Sequence, residues 1–209
     1  MENGDKGKTR IKLCGLRRSC DVEYANELLP DYIGFVFAAG SKRYVSWEEA
    51  QLLQRKLHPS IVPIGVFVNE TPKQVARLVN KGVIKGVQLH GQEDNTYIAR
   101  LKALTDCIII QAFRVGQEED IVKANASMAD YVLLDSGGGT GEAFDWSLLE
   151  NMNRPYFLAG GLDAENVGDA IYSMHPFGVD ASSSLEKDGY KDKQRMTEFV
   201  RAVRNADIK

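Results

Sequence analysis

Ile11-Lys12-Leu13-Cys14-Gly15-Leu16-Arg17-Arg18-Ser19 is the stretch on which the fold turns. Ile11 to Cys14 is short and largely apolar, ends at Gly15, and reads as a first strand. Ser19 then caps a helix over about residues 20–29, and Pro30 ends it. A doubly wound dinucleotide-binding sheet usually carries GxGxxG in this first turn. Cys14-Gly15-Leu16-Arg17-Arg18-Ser19 does not match it.

Outward from that turn the chain alternates. Tyr32 to Phe37 is aromatic and β-branched and reads as a second strand. Ser46 caps a helix from about 47 to 57, with Glu48 and Glu49 in its first turn, where acids suit the helix dipole. Pro63 to Val68 is a third strand, and Thr71-Pro72 opens a helix to Lys81-Gly82 with proline at N1. Strands follow at Gly86–His90, Cys107–Phe113, Tyr131–Asp135, Tyr156–Ala159 and Gly178–Asp180. Helices follow at Glu93–Leu104, Glu118–Ala126, 145–151, Ala164–Ser173 and Lys191–Ala206. That makes eight strands alternating with eight helices, with no linker between them. Strict alternation implies parallel strands joined by crossover helices. Eight units in one unbroken domain point to an α/β fold, a single-domain (β/α)8 TIM barrel over residues 11–209, with an open doubly wound sheet as the alternative.

Composition agrees with an ordinary globular domain. The 209 residues are 44% hydrophobic and 26% charged. A net charge of −3 with no dense basic run argues against a nucleic-acid partner. The three cysteines, Cys14, Cys20 and Cys107, follow no disulfide or zinc spacing and read as reduced thiols of a cytoplasmic protein. Residues 1–10 are polar, lack the apolar core of a secretory signal, and are expected as a tail. No apolar stretch approaches the roughly 18 residues that span a bilayer, so no membrane partner is expected.

In a barrel of this kind the site lies at the C-terminal ends of the strands. Cys14 ends strand one, and Lys12 lies two residues earlier on the same face. The plainer reading is a small apolar core residue. The alternative is a reactive thiol whose thiolate the Lys12 ammonium favours. Asp135 ends strand six ahead of Ser136-Gly137-Gly138-Gly139-Thr140-Gly141, a loop placed to close over a ligand. It either caps the turn or serves as a general acid at the mouth. His90 ends strand four and reads equally as a satisfied histidine or as an acid, base or hydrogen-bond donor. Arg43 lies beyond strand two, and Asp180 is carried by strand eight. Gln88 and Arg114 are further candidates for the mouth, while His58 and His175, each before a proline, read as structural. Gly160-Gly161 follows strand seven and Ser182-Ser183 follows strand eight, the two loops with which many barrels bind phosphate. Glycine lets the backbone approach the anion, and serine hydroxyls add donors. A small phosphorylated molecule is therefore the expected ligand.

From about residue 11 to 203 the chain resembles the phosphoribosylanthranilate isomerases of tryptophan biosynthesis. The resemblance rests on Lys12-Leu13-Cys14-Gly15, Ser41-Lys42-Arg43-Tyr44-Val45, Gly65-Val66-Phe67-Val68-Asn69, Val87-Gln88-Leu89-His90-Gly91, Leu133-Leu134-Asp135, Gly138-Gly139-Thr140-Gly141 with Phe144-Asp145-Trp146, Leu158-Ala159-Gly160-Gly161-Leu162 and Gly178-Val179-Asp180-Ala181-Ser182-Ser183. It implies a (β/α)8 barrel without cofactor or metal, monomeric or homodimeric, that performs an Amadori rearrangement. It also implies Cys14 as general base, Asp135 as general acid, Arg43 on the anthranilate carboxylate, and the loops after strands seven and eight on the phosphate. His90 and Asp180 join the expected substrate-binding residues. Related histidine-pathway isomerases use aspartate at the first strand end, so Cys14 speaks against them. A barrel that binds a phosphorylated metabolite without turning it over is the non-enzymatic alternative. Two departures stand out. Lys42 replaces a usual proline, which is expected to loosen the loop of Arg43. Ser184 replaces a usual glycine, which strains the phosphate loop if that residue has positive φ.

Overall fold

A computed structural model describes residues 7–135 and 146–208. Eight parallel strands close on themselves in chain order: β1 (Arg10–Cys14), β2 (Tyr32–Val36), β3 (Val62–Phe67), β4 (Gly86–Leu89), β5 (Ile108–Arg114), β6 (Tyr131–Asp135), β7 (Tyr156–Ala159) and β8 (Gly178–Ala181). The ring shuts where Lys12 of β1 pairs with Asp180 of β8. This closed ring excludes the open doubly wound sheet. Seven α-helices lie among the described residues: α1 (Ser19–Leu28), α2 (Trp47–Gln54), α3 (Pro72–Asn80), α4 (Asn95–Lys102), α5 (Glu118–Asn125), α6 (Val167–Met174) and α7 (Lys193–Ala206).

The strands are apolar on both faces because both faces are covered. One set of side chains packs under the helices, with Ile11, Leu13, Ile33, Phe35, Val132 and Leu134 wholly or almost wholly buried. The alternate set fills the barrel. Tyr32, Ile64, Ile110, Leu133, Phe157 and Ala159 form a separate buried cluster. At its base the Phe157 ring meets Tyr32, Tyr131 and Phe177 edge-on, with centroids 5.4–5.8 Å apart. Above it Cys14, Val36 and Val66 form a third cluster at the opposite end. The aromatic plug closes the lower end, so the open space lies at the C-terminal ends of the strands.

Helix starts follow their caps. The side chains of Ser46, Thr71, Asp94 and Asp192 accept from the backbone N–H three residues on, at α2, α3, α4 and α7. Besides that of α7, three starts differ from the sequence expectation for identifiable reasons. Ser19 is the first residue of α1 rather than its cap, because the Asp21 carboxylate accepts from the N–H of Arg17 and Arg18. Glu93 stays outside α4 because its carboxylate accepts from Asn69 N at 2.6 Å and Gly91 N at 2.8 Å. α6 begins at Val167 rather than Ala164, because Asp163 and Asn166 bond to each other's backbone in a turn.

Two crossovers also differ. The sixth is a 3₁₀ helix, Trp146–Asn151, so eight α-helices become seven among the described residues. After β8 comes a 3₁₀ turn, Ser183–Leu185, then a ribbon of β9 (Glu186–Lys187) and β10 (Tyr190–Lys191). Lys191 therefore lies in the ribbon, not in the last helix. The ribbon turns at Asp188-Gly189, both at positive φ (53° and 77°), the backbone a two-residue hairpin requires. At the other end β1 starts at Arg10 rather than Ile11. The Thr9 amide donates to Asp207 at 3.0 Å, so Thr9 and Arg10 of the expected tail are packed on the barrel. Residues 1–6, 136–145 and 209, the expected closing segment 136–141 among them, lie outside the described residues. No helix among the described residues is long and apolar enough to cross a membrane.

Candidate active site

A cavity of about 330 Å3 opens at the C-terminal ends of the strands. Its walls include all nine expected site residues: Cys14, Arg43, His90, Asp135, Gly160, Gly161, Asp180, Ser182 and Ser183. They come from different strand ends, and no segment of the chain carries more than a few of them. β1 and β6, which carry Cys14 and Asp135, are separated by β7 and β8 on one side and by four strands on the other. Gln88 lines the cavity as well. Arg114 stands exposed at the end of β5, outside the lining.

Beneath the cavity floor Lys12 is wholly buried and its Nζ lies 3.0 Å from Asp180 Oδ1. Burial pushes the ammonium toward its neutral form, but the Asp180 carboxylate and the Cys14 sulfur outweigh it, so its pKa stays above the ordinary value. Burial pushes the Cys14 thiol up, and the pull of Lys12 only partly opposes that. Lys12 thus favours the thiolate, in the direction expected from the sequence, but desolvation outweighs it and Asp180 shares the ammonium. Asp180 lines the cavity and is at the same time the buried ion-pair partner of Lys12.

Across the cavity, His90 Nε2 lies 4.0 Å from Asp135 Oδ2. Gln88 Nε2 lies 3.0 Å from His90 Nδ1 on the same strand end. With the amide nitrogen facing Nδ1, this contact suits the tautomer that carries its proton on Nε2, toward Asp135. Gln88 Oε1 is buried without a hydrogen-bond partner.

The phosphate-type loops are joined to each other. Gly160 and Gly161 have φ of 92° and 67°, a backbone that a side chain would strain. Asn166 Nδ2 holds the Gly161 carbonyl at 2.9 Å, and Ser184 Oγ donates to the Leu162 carbonyl at 2.5 Å. Ser184 sits in the 3₁₀ turn and has no positive φ, so the expected strain of serine for glycine is absent there. Its hydroxyl instead ties one loop to the other. Ser182 Oγ donates to the Cys14 carbonyl at 3.0 Å, linking β8 to β1.

The loop of Arg43 is held despite Lys42. The Lys42 carbonyl accepts from Arg17 Nη1 at 3.1 Å, and the Arg43 amide donates to Ser41 Oγ at 3.1 Å. The Arg43 guanidinium is itself paired: Nε lies 2.5 Å and Nη2 2.9 Å from the two oxygens of Glu186. Glu186 also accepts from Lys191 Nζ at 2.7 Å. Neither Glu186 nor Lys191 was among the residues expected from the sequence. The hairpin dipeptide Asp188-Gly189 marks the ribbon that carries them, but nothing local marks their partner.

The N-(5'phosphoribosyl)anthranilate (PRA) isomerase family model matches residues 11–202. An N-(5'-phosphoribosyl)anthranilate isomerase from Endomicrobium trichonymphae is 40% identical over 201 residues, covering 94% of this chain and 98% of its own. A solved phosphoribosyl anthranilate isomerase in complex with reduced 1-(o-carboxyphenylamino)-1-deoxyribulose 5-phosphate superposes with a TM-score of 0.82 at 33% identity, covering 94% of this chain and 99% of that one. Monomers generated from the dimeric isomerase of Thermotoga maritima give a TM-score of 0.83 at 34% identity, with the same coverage of 94% and 99%. With its closed barrel, its cavity at the strand ends and this match over nearly its whole length, the chain belongs to the N-(5'-phosphoribosyl)anthranilate isomerase family.

Proposed function

We propose that Cys14 is the general base and Asp135 the general acid of the isomerase reaction this chain carries out in L-tryptophan biosynthesis. That reaction is the Amadori rearrangement of N-(5'-phosphoribosyl)anthranilate to 1-(2-carboxyphenylamino)-1-deoxyribulose 5-phosphate. The observation that carries the assignment is the pairing of a thiol and a carboxyl on one small cavity, on strands β1 and β6, with an arginine and two anion-type loops on the same walls.

The chemistry needs one acid and one base. Asp135 gives its proton to the ribose ring oxygen as the ring C–O bond breaks, which leaves a Schiff base with a cationic nitrogen. That cation acidifies the C2′ proton. The Cys14 thiolate takes this proton, the electron pair forms the enolamine, and tautomerisation gives the ketone. Burial makes the Cys14 thiolate scarcer but more basic, and the Lys12 ammonium supplies the charge that stabilises it. His90, donating from Nε2, orients the substrate or Asp135.

Arg43 binds the anthranilate carboxylate through its planar fork. Gly160, Gly161, Ser182 and Ser183 bind the phosphate through amides and hydroxyls, and Asp180 orders the strand-eight loop from below. A solved relative in complex with reduced 1-(o-carboxyphenylamino)-1-deoxyribulose 5-phosphate, which carries both a carboxylate and a phosphate, supports a ligand with both groups. The chain acts as a monomer or homodimer in the cytoplasm on this reading, and the dimeric Thermotoga relative supports the second state.

The test follows loss of substrate fluorescence with phosphoribosylanthranilate generated in situ. Cys14→Ala and Asp135→Asn are each expected to lose about 100- to 10,000-fold in turnover while remaining folded. Either variant retaining near-parental turnover would remove that residue from its role.

A further inference from the structure

The Arg43–Glu186–Lys191 cluster does something the acid–base scheme leaves unexplained. An arginine meant for a ligand's carboxylate already holds a carboxylate of its own, bidentately, at 2.5 and 2.9 Å. Glu186 occupies one edge of the guanidinium, the Nε–H and one Nη2–H. Among the described residues both Nη1–H groups and the second Nη2–H remain, and that Nη2–H with the Nη1–H beside it forms the end-on fork that matches a second carboxylate. The Arg43 stem lies across the backbone of Gly15, where an added Cβ would meet Arg43 Cδ at 2.4 Å. The side chain is therefore fixed at both its stem and its tip.

Glu186 is held in turn. Lys191 is almost fully buried, and its Nζ bonds Glu186 at 2.7 Å and the Ser182 carbonyl at 2.8 Å. Arg18 Nη2 donates to the Lys191 carbonyl at 2.7 Å, and Arg17 Nη2 to the Gly189 carbonyl at 2.8 Å. The ribbon is thus clamped to the loop after β1. Arg43 and Lys191 together outweigh Glu186, so the cluster stays net positive and still attracts an anion.

We infer that Glu186, anchored by Lys191, is a positioning residue that presents the end-on fork of Arg43 to the substrate's aromatic carboxylate, and so sets selectivity for a carboxylated ring. The inference rests on the reading of Arg43 given above. A free arginine stem must lose its rotamer freedom when it binds, whereas one already held by Glu186 does not. The loss of Glu186 is therefore felt by ligands that carry the carboxylate and not by those that lack it.

The experiment measures binding, by calorimetry, of reduced 1-(o-carboxyphenylamino)-1-deoxyribulose 5-phosphate and of the same compound without its ring carboxylate. Glu186→Gln is expected to weaken the carboxylated ligand about 10- to 100-fold, as loss of a charged hydrogen-bond partner does, and to leave the other ligand within about twofold. KM for substrate rises and kcat stays close to parental. Glu186→Asp, which keeps the charge on a shorter stem, is expected to lie between the two. Equal weakening of both ligands by Glu186→Gln would reduce Glu186 to a structural role. Tighter binding of the carboxylated ligand would make Glu186 a competitor of substrate and overturn the inference. Arg43→Met separates the premises. If it too fails to distinguish the ligands, the reading of Arg43 and this inference both fall. If it distinguishes them and Glu186→Gln does not, the inference alone falls.

Discussion

Lys12 and Asp180 are register partners across the seam where the barrel closes, and their side chains meet at 3.0 Å with the lysine wholly buried. The pair therefore joins the last strand to the first and underlies the cavity floor. Removing one member leaves a buried charge without a counter-charge. Asp180→Ala is expected to cost about 3–5 kcal/mol of stability, and the double change Lys12→Met with Asp180→Leu to recover most of that loss. Urea unfolding measures both. A loss below about 1 kcal/mol would mean that water solvates the pair as it does an exposed one.

The same lysine sets how far burial can raise the Cys14 thiol. Desolvation lifts it and Lys12 pulls it back. Lys12→Met is expected to move the pH profile of Cys14 alkylation to higher pH. An unchanged profile would separate the lysine from the thiol.

Gly34 is the register partner of Cys14, and a Cβ there would lie 2.6 Å from its Sγ. Gly34→Ala is expected to displace the sulfur while leaving the barrel folded. A 1 Å misplacement of a reacting group costs on the order of 100-fold, so turnover should fall by about that factor with near-native circular dichroism. Retained activity would mean that the thiol need not sit where it does.

Gln88 holds His90 Nδ1 as an acceptor. Gln88→Met removes that donor, and the imidazole is expected to redistribute its proton between the two nitrogens. Nitrogen-15 shifts read this directly, because the chain has three histidines and the other two, His58 and His175, lie outside the cavity lining. Unchanged shifts would leave the tautomer to Asp135 or to water.

Burial lifts the Cys107 thiol from its ordinary 9.0 to about 11. The folded chain then keeps a proton that the unfolded chain releases. The stability this contributes is complete below pH 9.0 and is lost as pH rises through about 11. Cys107→Ser is expected to flatten that alkaline decline in unfolding free energy. A decline of the same steepness would place its origin elsewhere.

What the sequence determined by itself was local and periodic. Apolar strands buried on both faces and capped helices between them imply a parallel sheet wrapped in helices, and their number implies closure. Cys14, His90 and Asp135 were legible as candidates because each ends an apolar run at the strand end where such barrels place their site. Gly160-Gly161 and Ser182-Ser183 were legible from their position after the last two strands. Tertiary structure alone decided what those residues meet. The carboxylate of Asp180 faces Lys12 from 168 residues away, and that of Glu186 grips Arg43 from 143 residues away. No periodicity encodes such pairings, because they exist only once the ring has closed and the ribbon has folded back over the first turn. The direction of the Cys14 shift was hidden for the same reason. Proximity of Lys12 is visible along the strand, but the desolvation that outweighs it comes from neighbours brought in by the fold.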